Sequence, residues 1–311
     1  MRRAFVQTFA ELARRDPTVM LLTGDLGYHQ FEVIRDEFPR QFINAGVAEQ
    51  NMVGLAAGLA KGGMKPYVYS ILPFVSFRPY EQIRNDLCYH NLDVTLVACG
   101  TGFSYGAAGT THHGLEDMAA LRALPNLTIV APTHKAETEA ATRASYAHRG
   151  PFYLRITRGP APEFARDETE FALGRGAYIQ RRSAPDVSIL TTGDIAANAV
   201  QAAERLERDG LRCAIVSLHT VKPIDAALID EVLRDSRLVV TVEEHNLRGG
   251  FGSAVAEVAA QSGRSAAFRM IGVPDEFCRV NGSEAEMRCT YGLDPDGLHS
   301  AITAFLKGLP L

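Results

Sequence analysis

The chain has 311 residues, 46% hydrophobic and 22% charged, with a net charge of −4. That length suits one large or two ordinary domains with a well-filled core, and the scattered Lys and Arg residues form no basic patch for nucleic acid. No apolar run reaches the roughly 20 residues of a membrane span, and the five dispersed cysteines (Cys88, Cys99, Cys213, Cys278, Cys289) have neither disulfide-framework nor metal-ligand spacing, which points to a reducing cytoplasm.

The N-terminal stretch MRRAFVQTFAELARRDP has no continuous apolar segment of the kind a signal peptide carries. Its spacing predicts an amphipathic helix with Phe5, Phe9 and Leu12 on one face. Short β-branched runs follow at Val19–Asp25, Pro66–Leu72, Val94–Gly100, Leu127–Pro132 and Phe152–Thr157. Helical patterns lie between them at Tyr80–His90 and Lys135–His148. This alternation predicts an α/β domain with a mainly parallel, doubly wound sheet. Residues 159–183 are rich in Pro, Gly and charge and read as a linker. The alternation then restarts, with strands expected at Val187–Gly193, Cys213–His219 and Leu238–His245 and helices at Ala196–Arg208 and near Asp225–Arg234. The expected organisation is a first domain over residues 1–165, a linker over 166–185 and a smaller α/β domain over 186–311. Ligands of open α/β sheets bind beyond the carboxyl ends of the strands, where the turns TGDLGYHQ, GTGFSYGAAGTTHHG and EEHNLRGGFG are expected.

The segment FINAGVAEQNMVGLAAGLA places one carboxylate, Glu49, at the head of an otherwise apolar run. A helix is expected from about Val47, packed through Met52, Leu55, Ala56 and Leu59. A first-turn Glu favoured by the helix dipole is the plain reading. Gly54 and Gly58 add the expectation that another backbone comes close to this helix.

GVAEQNMVGLAAGLA followed by KPYVYS resembles the pyrimidine-binding domain of transketolase-type thiamine diphosphate enzymes. The resemblance continues through YEQIRNDLCYHNLDV, GTTHHGLEDMAALRALPNLTIVAP, FYLRITRG, HTVKPID and EEHNLRGGFGSAVAE, and so spans nearly the whole chain. It implies that Glu49 hydrogen-bonds the far ring nitrogen of the cofactor's aminopyrimidine and so helps to activate the thiazolium carbon. An aromatic residue stacks on the same ring in this family. Phe74 matches it after a one-residue deletion, with Phe77 as the alternative. His112 matches the histidine that faces the thiazolium and the substrate oxygen, and His113 stands where the family has Gln. Asp25 matches an acidic residue near the cofactor, and is otherwise a turn or cap residue. Arg2 and Arg158 match two arginines that grip a substrate phosphate, for which a planar guanidinium fork is suited. Arg155 is a nearby substitute.

The departures from the family pattern matter as much. Ala108 stands where sugar-phosphate transketolases carry Asp, Gly100 where they carry His, and a position near His29 where they carry Ser. A modified, deoxy or nucleotide-linked sugar, or another 2-keto donor and aldehyde, is therefore as compatible as an ordinary pentose phosphate. The chain also contains no Gly-Asp-Gly motif: Gly24-Asp25 is followed by Leu and Gly193-Asp194 by Ile. The resemblance thus implies the C-terminal subunit of a split transketolase. A separate N-terminal chain would hold Mg²⁺ and the diphosphate, two copies of each would assemble, and self-association would run through the pyrimidine-binding and C-terminal domains. The expected reaction is two-carbon ketol transfer. The β subunit of a 2-oxo-acid dehydrogenase and a non-catalytic assembly subunit are the competing readings.

Overall fold

The computed structural model describes residues 1–27, 29–168 and 170–309. Seven strands form the first sheet: β1 (Val19–Thr23), β2 (Phe42–Asn44), β3 (Lys65–Ile71), β4 (Thr95–Cys99), β5 (Thr128–Val130), β6 (Phe152–Ile156) and, from far along the chain, β10 (Thr220–Lys222). Their spatial order is β10-β5-β6-β4-β3-β1-β2, and every pairing is parallel except β10 on β5. The second sheet has the order β12-β11-β8-β9-β7, built from β7 (Ala177–Gln180), β8 (Val187–Thr191), β9 (Cys213–Ser217), β11 (Leu238–Asn246) and β12 (Ala267–Val273). It is parallel except for β7 on β9.

The sequence dictates this layering. β1, β4 and β6 are buried along their whole length, as parallel strands covered on both faces must be. In β3 the side chains alternate: Tyr67 and Tyr69 join Phe5 and Phe9 of the Arg2–Arg15 helix on one face, while Val68 packs with Met52, Val53 and Leu96 on the other. That second core continues without a break into Leu190, Val216, Val239 and Phe251 of the following domain.

β7, β10 and β12 are not among the expected strands, and β12 extends the second sheet beside β11. β7 falls inside the stretch read as a linker and extends the second sheet, and β10 crosses back to the first. The Pro, Gly and charge content that suggests a linker sits around β7, whose Ala177, Tyr178 and Ile179 are buried. The two halves are also joined by a buried ionic cluster. Arg288 Nη2 lies 2.6 Å from Asp194, 2.8 Å from Glu244 and 2.9 Å from Glu284. Thr101 of the first half donates to the same Asp194 at 2.7 Å.

β1 is flanked by β2 and β3, so the β1–β2 and β2–β3 connections run in opposite directions. The carboxyl ends of β1, β2, β3 and β4 therefore open on one crevice. No helix among the described residues is long and apolar enough to cross a membrane.

Truncating Arg288 would strand the buried Asp194 and Glu244 and the partly buried Glu284, so Arg288→Ala should cost about 3–5 kcal/mol of unfolding free energy in a urea melt. Burial, then the neighbouring Asp194 charge, push the Glu284 carboxyl up to about 7. An acid raised above its unfolded value contributes less stability as pH climbs through that interval. Glu284→Gln should gain stability over the native chain as pH rises from about 4.5 to 7 and keep the gain above 7, read from urea melts across that range.

Candidate active site

Glu49 begins the helix Glu49–Lys61, directly after β2 and a short turn with Ala48 as the cap. It is 3% exposed. Two polar groups from the end of β3 and the helix after it reach it: Ser70 Oγ donates to Oε1 at 3.3 Å, and Arg78 Nη1 donates to Oε2 at 2.9 Å. The carboxylate thus sits in a polar clasp within the apolar surroundings that the sequence suggests. The packed face of its helix also differs from expectation. Met52, Val53, Ala56 and Ala57 are buried, Leu59 is partly buried against them, and Leu55 is 37% exposed. A Cβ on Gly54 or Gly58 would meet nothing within 4 Å, so among the described residues no backbone approaches there.

Phe74 and Arg78 are four residues apart on the helical turn Leu72–Phe77 and its cap, which puts them on one side. The Arg78 guanidinium lies 3.9 Å above the Phe74 ring centroid, a cation–π contact. Phe74 meets the His112 ring edge-on at 5.1 Å. His112 Nδ1 pairs with the Thr111 hydroxyl at 2.9 Å. The His112 ring is 6.1 Å from Tyr105, and Arg158 lies 4.9 Å over Tyr105. Glu49, Arg78, Phe74, His112, Tyr105 and Arg158 therefore form one continuous line of contacts along the crevice. Arg78, Ser70 and Tyr105 are the members that sequence reasoning misses. The Phe-x-x-x-Arg spacing of Phe74 and Arg78 is the available signal for the first.

Phe77 faces elsewhere. It is 38% exposed and borders a groove of about 470 Å³ with Pro73, Thr110, His113 and Phe277. His113 is buried, its Nε2 3.4 Å from the Gly106 carbonyl, and burial holds its pKa below the usual histidine range. It is a neutral ring at pH 7.

Gly100 has φ +102°, and a Cβ there would run into the Tyr105 ring. The absence of the family's histidine at this position is thus structural: Tyr105 fills its space. Ala108 is exposed in a short turn and adds no polar group. Asp25 adopts φ +55° in an exposed turn and exchanges hydrogen bonds with Asn44, both at 3.0 Å. His29 is exposed, with its backbone N–H on Glu32 at 2.7 Å. Neither residue belongs to the line from Glu49 to Arg158.

Arg2 and Arg158 do converge. Together with Met1, Arg3, Lys135 and a single acid, Glu163, they border a cavity of about 630 Å³. Its cationic rim suits an anion. Arg155 cannot replace Arg158: it is buried, its Nε lies 3.0 Å from Asp117, and it donates to the Gly114 carbonyl at 2.7 Å.

The loop that carries His112 is held by the second half of the chain. Gly102 bridges Gly114, Thr101 reaches Asp194, and the Thr110 hydroxyl donates to the Cys278 carbonyl at 2.9 Å.

These residues fit the pyrimidine end of thiamine diphosphate. A buried carboxylate and an aromatic face already grip one flat, N–H-bearing group, the Arg78 guanidinium. They do not fit its diphosphate end. Among the described residues the one cluster of three acids is Asp194, Glu244 and Glu284, and Arg288 lies within 2.9 Å of each of them.

The chain matches the transketolase pyrimidine binding domain over residues 1–163 and the transketolase C-terminal domain over residues 176–298. A putative transketolase C-terminal section from Methanocaldococcus jannaschii is 37% identical over 311 residues, which is 99% of this chain and 96% of that one. One subunit of an apulose-4-phosphate transketolase from Phocaeicola vulgatus is 33% identical over 308 residues, covering 98% and 97%. A solved structure described as split gene transketolase, inactive beta4 tetramer, superposes with a TM-score of 0.86 at 33% identity, covering 98% of this chain and 97% of that one.

If the cavity binds an anion through Arg2 and Arg158, inorganic phosphate should broaden in ³¹P NMR on addition of the full chain. Arg2→Ala and Arg158→Ala should each weaken that binding by about three- to tenfold, the range expected for losing one charge-assisted contact.

Proposed function

The chain belongs to the transketolase family, and we propose that it is the C-terminal subunit of a two-chain enzyme that moves a two-carbon ketol unit from a 2-keto donor to an aldehyde. The observation that carries this reading is the convergence of Glu49, Phe74 and His112 on one crevice in a chain without a Gly-Asp-Gly motif. Thiamine diphosphate, when bound, supplies the carbon nucleophile for the transfer, as cofactors of its class do. Glu49 would hydrogen-bond the far nitrogen of the aminopyrimidine and exchange a proton with it. Phe74 offers the ring a face. His112 presents an imidazole, steadied by Thr111, to the oxygen of the reacting substrate. Arg2 and Arg158 would hold the charged end of a phosphorylated substrate. Tyr105, in place of a polar contact at Gly100, narrows the path between those arginines and His112.

A separate N-terminal chain would contribute the diphosphate site and its Mg²⁺. Support comes from the surface beside Glu49: Val47 is 72% exposed, Leu55 is 37% exposed, and a Cβ on Gly54 or Gly58 of the same helix would meet nothing within 4 Å. An exposed apolar face around a buried carboxylate is what a partner chain would cover. The P. vulgatus relative is named as one subunit of its transketolase, and the solved neighbour is described as an inactive tetramer of beta chains. Both names support a chain that needs a different subunit for activity.

Glu49→Gln keeps the shape and removes the acid. In the complex with the N-terminal subunit it should lower kcat by about 100-fold or more, the lower end of what a positioned proton-transfer group contributes. Unchanged turnover would contradict a catalytic subunit and leave an assembly role.

A further inference from the structure

Arg78 makes both contacts that the reading above assigns to the cofactor's ring. Its guanidinium is planar, lies 3.9 Å over Phe74, and donates to Glu49 at 2.9 Å. An aminopyrimidine is also planar and also bears N–H groups at its edge. Two flat groups cannot share one face of one aromatic ring. The Arg78 side chain is 45% exposed and stands at the end of a short helix before Pro79. It can swing into water and stay hydrated. Ser70 remains on Glu49 when it does.

We propose that Arg78 is a displaceable stand-in for the cofactor's ring. It holds the Glu49 and Phe74 seat open in the free chain and yields to the ring on binding. The proposal rests on reading Glu49 and Phe74 as the pyrimidine seat. A residue in this role does two things at once. It keeps the buried carboxylate paired, because a buried acid without a partner is costly. It also competes with the ring, because a seat that is free only part of the time binds with its affinity reduced by that fraction. The cation–π contact is weak, the Arg78 end of the ion pair is open to water, and the ring pairs Glu49 in its turn, so displacement is feasible. Together the two contacts correspond to about a five- to tenfold loss of apparent affinity. A fixed wall residue would behave oppositely: removing it would unpair Glu49 and weaken ring binding.

The test is titration of the full chain with 4-amino-5-hydroxymethyl-2-methylpyrimidine, followed by saturation-transfer NMR, for the native protein, Arg78→Ala and Glu49→Ala. Circular dichroism melts check that each variant is folded. We expect Arg78→Ala to bind the pyrimidine about five- to tenfold more tightly and Glu49→Ala to lose it. Unchanged or weaker binding by Arg78→Ala, with native binding still dependent on Glu49, overturns the stand-in and leaves the seat intact. Binding that ignores Glu49→Ala, or no binding in any variant, overturns the seat and the stand-in together.

Discussion

A histidine on a long loop has no fixed direction unless something holds the loop, and here that something is the second half of the chain. The stretch from Gly100 to Gly114 is closed at its base by a Gly102–Gly114 bridge and tied down by Thr101 on Asp194 and Thr110 on the Cys278 carbonyl. Gly102 sits so close to Glu244 that a Cβ would run into its side chain, and its φ is +51°, a conformation glycine adopts without strain. Arg288 then binds Asp194, Glu244 and Glu284 together. Buried charges of this kind persist only when paired. The ionic cluster, through Thr101 on Asp194, thus anchors the base of the loop that carries His112. It also gives the C-terminal domain a part in the site without contributing a residue to the line of contacts.

The same geometry separates what this chain supplies from what it lacks. Its crevice offers an acid, an aromatic face, an imidazole and a cationic cavity, all at the carboxyl ends of parallel strands or close beside them. Its two Gly-Asp pairs have other duties. Asp194 belongs to the interdomain cluster, and Asp25 is held in an exposed turn by Asn44. A cofactor gripped at one end by this chain and at the other by a second chain would bind only where the two meet. That is a physical reason for an enzyme of this family to work as a pair of subunits. With Tyr105 filling the space over Gly100, the end of the crevice between His112 and Arg158 is aromatic and cationic.

Much of this is legible in the sequence. The alternating strands and helices, the amphipathic first helix with Phe5 and Phe9, and the Ala196–Arg208 helix are local patterns, and they lie where expected. Glu49 stands out because an acid among Gly, Ala and Val is unusual, and its neighbours carry the family resemblance. What escapes detection depends on distant contacts. β7 is hidden because its short apolar run lies among Pro, Gly and charge. β10 is hidden because so short a strand cannot declare which sheet it joins. Leu55 fits the core by helical spacing, which cannot tell a face packed on its own chain from one left partly exposed. Arg155 and Arg158 look interchangeable in the sequence, yet nearby positions at a strand's end differ completely in burial. Arg78 carries only a Phe-x-x-x-Arg spacing as its signal, and its guanidinium between Phe74 and Glu49 gives that spacing a meaning.

A cofactor site divided between two chains has a calorimetric signature. Thiamine diphosphate with Mg²⁺ would be titrated into this chain alone, then into its mixture with the N-terminal diphosphate-binding subunit. The account predicts no tight binding to the chain alone and clear binding to the mixture. Tight binding to the isolated chain would contradict it, because the chain would then have to contain a diphosphate site of its own.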